Sequence, residues 1–138
     1  MKRTYKIVII LVLLAAALAA MVIHAARNTP YRSHYNAVAF VHSNTSSGGH
    51  MSFSKFDGTN VFKLKCKDSG GSLIYSASLE EGSAAVSYDN GGGKTELFTF
   101  RGGEHTEGSI PLEPGTVYVI VETDGACREG SLKFEIGP

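Results

Sequence analysis

Beyond residue 30 no amphipathic helical pattern appears, and the sequence is cut at short intervals by turn signals. Gly70-Gly71, Glu81-Gly82, Gly91-Gly92-Gly93, Gly102-Gly103, Pro114-Gly115 and Asp124-Gly125 punctuate runs of strand-like residues. The runs are Ala37 to Val41, Met51 to Phe53, Val61 to Lys67, Leu73 to Leu79, Ala84 to Tyr88, Leu97 to Phe100, Val117 to Val121 and Leu132 to Ile136. Short strands separated by such turns predict an all-β fold, a single antiparallel β-sandwich or jelly roll of about eight or nine strands.

Some of these runs carry more detail. Asp57-Gly58 reads as a tight hairpin turn, with Val61 to Lys67 as the returning strand. That strand places Phe62, Leu64 and Cys66 on one face and Lys63, Lys65 and Lys67 on the other. The lysines read as a solvated coat that discourages edge pairing, with an anionic docking stripe as the alternative. Val117-Tyr118-Val119-Ile120-Val121 is apolar on both sides. It is expected to be the best-buried central strand; the alternative is that its second face meets a partner or the membrane-proximal segment.

The first residues follow a different rule. An unbroken apolar run from Ile7 to Ile23 is preceded by Lys2, Arg3 and Lys6. It exceeds the roughly 7 to 15 residues of a signal-peptide core and matches the roughly 17 to 25 that span a bilayer as a helix. Length favours retention as an anchor, while Ala17-Leu18-Ala19 offers the small residues that a signal peptidase needs, with cleavage after Ala19 or Ala25 as the competing outcome. No cysteine lies nearby to take a lipid. The basic residues before the run orient the N-terminus inward and the rest of the chain outward. The expected organisation is a signal anchor or signal peptide over 1–26, a connector over 27–35 broken by Pro30, and a β-sandwich domain over 36–138.

Charge narrows the partners. The chain has 13 basic and 13 acidic residues, and with Lys2, Arg3 and Lys6 set aside the remainder is close to neutral. No basic stripe of the size nucleic acid needs is present, which excludes nucleic acid as a partner. Cys66 and Cys127 both fall in the outward-facing part, where oxidation is permitted, so a disulfide is the simplest expectation. Closing that loop would stabilise the fold by roughly 4 kcal/mol in the loop-entropy account. The alternative is two core thiols, since Cys66 is in phase with Phe62 and Leu64.

Ile110-Pro111-Leu112-Glu113-Pro114-Gly115-Thr116-Val117-Tyr118-Val119-Ile120-Val121, followed by Gly130-Ser131-Leu132-Lys133-Phe134-Glu135-Ile136, resembles the closing strands of small secreted bacterial β-sandwiches. Pre-peptidase C-terminal-type and carbohydrate-binding-like jelly rolls have such a turn ahead of their last hairpin. The resemblance implies an accessory or binding domain, or a small anchored protein, and identifies no site residue. Such domains are mostly appended to enzymes, whereas no catalytic domain is expected beside this one.

No catalytic constellation is legible. His34, His42, His50 and His105 show no metal-ligand spacing. The serines lack a nucleophile elbow, and Glu80 and Glu81, adjacent in a turn, point apart. Asp57, Asp68, Asp89, Asn90 and Asp124 sit in glycine turns where they bond their own backbone; a subset could hold calcium, but no Asp-x-Asp-x-Asp ladder is present, and no cofactor is expected. Tyr31, Tyr35, Tyr75, Tyr88 and Tyr118 are possible sugar platforms, with core packing the favoured alternative. Asn44-Thr45-Ser46 fits a glycosylation site. Together these features point to a non-enzymatic extracytoplasmic module, anchored at the membrane through residues 7–23, that binds a protein or glycan at the cell surface. A cleaved secreted enzyme accessory, or a structural component of a surface assembly, are the alternatives.

Overall fold

The structure is a computed structural model that describes residues 6–17 and 31–138. Residues 6–17 form an α-helix with every residue exposed. Among the described residues no helix is long and apolar enough to cross a membrane. The expected span 7–23 lies partly outside the described residues, as do the cleavage positions at Ala19 and Ala25.

Residues Tyr31–Pro138 form a separate compact unit of nine antiparallel strands, as expected. They are β1 (His34–Val38), β2 (Val41–Asn44), β3 (Gly48–Cys66), β4 (Gly71–Glu81), β5 (Ser83–Asp89), β6 (Thr95–Arg101), β7 (Glu104–Leu112), β8 (Gly115–Thr123) and β9 (Cys127–Gly137). Their order is β6-β5-β8-β3-β9-β4-β7, with β1 and β2 also paired to β3. β3 belongs to both layers of the sandwich. Its second half, Thr59 to Cys66, pairs with β8, and its first half, Gly48 to Phe56, pairs with β9. One layer is therefore β6-β5-β8-β3, and the other is β3-β9-β4-β7 with β1 and β2 along its edge.

The transfer between layers corrects the hairpin expected at Asp57-Gly58. The chain does not reverse there; it turns a corner within one strand. Gly58 takes φ +137°, and an added Cβ would lie 2.6 Å from the Tyr35 Cα, so the corner requires glycine. Thr123 secures it: its hydroxyl accepts from the Gly58 N–H at 2.8 Å and donates back to the Gly58 carbonyl at 3.3 Å. The expected strand Ala37 to Val41 is likewise split, because Ala39 adopts φ 51° and separates β1 from β2.

The core follows the period-two alternation. Phe62, Leu64, Val117, Val119 and Val121 face inward from the first layer, and Met51, Leu73, Leu79, Leu132 and Phe134 from the second. Phe62 and Phe134 meet between the layers, their ring centroids 5.4 Å apart. His42 stacks on Phe62 and on Phe40, and Phe40 contacts Tyr35 and Phe56, so β1 and β2 stopper the open side with rings. At the other side Tyr75 stacks on Phe98 at 4.8 Å.

The expected Cys66–Cys127 disulfide is absent, and both thiols are free and buried. Cys66 ends β3 opposite Gly115, whereas Cys127 opens β9 opposite Phe56. The straight half of β3 from Gly58 to Cys66 alone is about 26 Å long, several times the roughly 7 Å limit for bridged Cα atoms. Phase places Cys66 in the core, as the structure shows; it carries no information on height along it. Burial pushes the Cys127 thiol above its ordinary range, partly offset by its bond to the Ser83 carbonyl at 3.2 Å.

The two-sided strand β8 is also accounted for. Val117, Val119 and Val121 line the core, while Ile120 is buried on the opposite face. There Tyr31 tilts over Tyr118 at 5.6 Å and donates to Asp89 at 2.8 Å, and the Ser33 hydroxyl accepts from the Val61 N–H at 2.9 Å. The second face of the strand is met by the connector itself.

Candidate functional site

Strand register assembles a surface that no linear motif announces. On the outer face of the second layer, cross-strand partners form rows. One row runs Val41, Ser52, Ser131, Ser78, His105. The next runs Ser43, His50, Lys133, Ser76, Glu107, and beyond it lie Gly48, Glu135, Ile74, Ser109. Neighbours within a row are about 4.8 Å apart and successive rows about 7 Å apart, so hydroxyls are set on a low, regular grid. Ser54 and Ser72 extend it at either end, Ser54 donating to Glu129 at 3.3 Å.

The choice of serine is informative. β-branched and aromatic residues favour strands, and threonine would keep the hydroxyl while gaining that preference. Serine gives instead the least relief and the smallest loss of side-chain freedom on contact. Polar and charged side chains punctuate the grid in neighbouring pairs. Lys133 and Glu135 are 2.8 Å apart, and His105 and Glu107 are 3.5 Å apart. A cleft of about 340 Å³ opens at one end, with Gly48 and His50 as floor and Ser43, Thr45, Lys133 and Glu135 beside it. A second, of about 460 Å³, opens at the other end between Ser54, Lys55, Glu80, Arg128 and Glu129. Glu129 holds φ 50°, a backbone state rare outside glycine.

No family model and no curated protein matches this chain. Solved structures do resemble it. The pre-peptidase C-terminal domain of a collagenase from Bacillus anthracis aligns over 68% of this chain and 90% of that one, at 16% identity and TM-score 0.46. A family 29 carbohydrate-binding module complexed with mannohexaose aligns over 77% and 90%, at 14% identity and TM-score 0.39. A protein from Neisseria meningitidis aligns over 72% and 86%, at 16% identity and TM-score 0.38. Both kinds of domain that Ile110 to Ile136 resembles are thus among the neighbours. The likeness is architectural and assigns no residue a role.

The residues singled out in the sequence are dispersed. His50 and His105 share the serine face but stand on β3 and β7, with β9 and β4 between them. His42 is stacked among rings, and His34 begins β1. Among the described residues no group of three His, Cys, Asp or Glu side chains is placed to hold a metal ion. Asp89 accepts from the N–H groups of Gly91 and Gly93 at 2.8 and 3.3 Å, as a turn aspartate does. Those bonds, the Gly91 one first, hold its carboxyl below the usual range against the opposing effect of burial, with Tyr31 adding to them.

The five tyrosines considered as sugar platforms are used in packing. Tyr31 covers Tyr118, Tyr35 leans on Phe40 and Phe56, Tyr75 stacks on Phe98, and Tyr88 lies against the core. Asn44 is also committed. Its Nδ2 donates to the carbonyls of Thr45 and Lys63 at 3.0 Å each, and its Oδ1 accepts from the Lys63 N–H at 2.9 Å. The side chain imitates a strand neighbour for β3, and a glycan on Nδ2 would break that pairing.

Proposed function

We propose that this chain is a non-catalytic binding module, displayed outside the cytoplasm by the apolar run 7–23, whose serine face binds a glycan. The observation that carries the reading is the grid of hydroxyls formed by Ser43, Ser52, Ser76, Ser78, Ser109 and Ser131. A hydroxyl both donates and accepts, which matches the alternating donor and acceptor character of sugar hydroxyls. Lys133 and Glu135 add charge-assisted bonds at the cleft, and the His50 imidazole adds a further polar contact. The flat relief suits an extended chain of sugars lying across the strands, and among the described residues no Phe, Tyr or Trp ring stands on this face, which predicts modest affinity per sugar.

The test is a glycan array probed with the full-length chain in detergent, followed by the variant Ser76→Leu with Ser131→Leu. Binding of at least one polysaccharide, lost in the double variant while the melting transition is kept, is the expected result. Binding that survives the double variant, or an array with no bound glycan, overturns it.

A further inference from the structure

The opposite face of the sandwich carries a different chemistry. Lys63 and Lys65 project from the outer side of the first layer, opposite Tyr118 and Thr116, and Lys67 follows just past the end of β3. All three are exposed. Lys94 and Lys133 are paired with Glu122 and Glu135, but among the described residues no carboxylate pairs with Lys63, Lys65 or Lys67. Lys65 and Lys67 also border a cleft of about 340 Å³ with the Ser46 and Ser47 hydroxyls and Asp68. Two ammonium groups and two hydroxyls around an open hollow favour a phosphate group, with Asp68 the one opposing charge there.

The connector joins the domain on this same face. Tyr31 covers Tyr118, the cross-strand neighbour of Lys63, and Ser33 bonds the backbone of Val61. From Ile23 to Tyr31 the chain reaches at most about 30 Å. Where residues 7–23 sit in a bilayer, this reach sets an upper limit of about 30 Å on how far Tyr31, on the lysine face, can stand from the end of the apolar run. The serine face is on the other side of the sandwich.

We propose that the face bearing Lys63, Lys65 and Lys67 lies on the membrane and binds anionic phospholipid headgroups. This rests on the membrane anchor proposed above and is independent of what the serine face binds. The attraction is electrostatic and confined to about a Debye length, so it depends on lipid charge and on salt.

The experiment reconstitutes the full-length chain into vesicles of phosphatidylcholine, with or without phosphatidylglycerol, and follows acylation of each lysine by mass spectrometry. Labelling of Lys63, Lys65 and Lys67 should fall by at least about threefold in the anionic vesicles, with Lys133 unchanged. About 0.5 M salt should abolish the difference. Replacing Lys63→Glu and Lys65→Glu together should return Lys67 to full labelling. Equal labelling in both vesicles overturns the proposal, as does protection in neutral vesicles by inorganic phosphate alone, which would mark a soluble anion as the occupant. A chain that floats with neither vesicle overturns the anchor and this proposal with it, whatever the glycan array shows.

Discussion

The ring of Phe62 lies directly on the backbone of Gly49, so that a Cβ added to Gly49 would sit 2.9 Å from Cε1 and 3.0 Å from Cγ. Phe62 belongs to the half of β3 paired with β8, and Gly49 to the half paired with β9. The contact therefore holds the two layers at their working separation. Both residues are buried, and Phe134, the strand partner of Gly49, also meets the Phe62 ring at 5.4 Å. Gly49→Ala should destabilise the domain by about 1–3 kcal/mol through overpacking. Gly92→Ala, where nothing lies within 4 Å, should change stability little. Urea denaturation of both variants checks the contrast.

The thiols give a second prediction. Because Cys66 and Cys127 are free, buried and far apart, both should resist alkylation in the native state. In denaturant they should label in full, equally with and without reductant. A reductant-dependent gain of two thiols would restore the bridge. Cys127→Ser should lower stability by about 1–3 kcal/mol, because it places a more polar atom in the core.

Much of the architecture is legible because several runs alternate. Leu73 to Leu79 and Leu132 to Ile136 put apolar residues at every second position, and both became strands of the second layer. Strand β7 is not legible in the sequence because Glu104-His105-Thr106-Glu107-Gly108-Ser109 offers no apolar face, as an edge strand need not. Asp57-Gly58 misled because the same dipeptide that closes a hairpin also permits a corner within a strand. The serine face was invisible for a different reason. Its members come from β2, β3, β4, β7 and β9, and only register makes them neighbours.

Acid should loosen the connector. Hydrogen bonds, that from Gly91 first, hold the Asp89 carboxyl below its ordinary value of 3.8 in the folded state. The ionised form is therefore favoured by folding. Its contribution is complete above that value and is lost as pH falls through the lower folded value. Tyr31 acts in the opposite sense: burial, then the bond and charge of Asp89, raise it above 10.0, so its contribution is complete below that value and lost at higher pH. Asp89→Asn should flatten the acid limb of a stability–pH curve, and Tyr31→Phe the alkaline limb. Amide exchange at Val61, bonded to Ser33 beside Tyr31, provides the local readout.

The serine grid separates stability from binding. If serine had been placed only to solvate a sheet face, threonine would serve as well, and its β-branched side chain would fit the pleat better. Ser76→Thr with Ser131→Thr should therefore raise stability by a few tenths to about 1 kcal/mol in urea denaturation. The added methyl groups stand on two adjacent rows of the grid, beside Lys133 and Ser78, and roughen the plane on which an extended ligand would lie. Affinity for the glycan should fall while the melting temperature rises. Stability and affinity rising together would mean that the hydroxyls bind and their low relief does not matter, and the geometric half of the functional reading would fail.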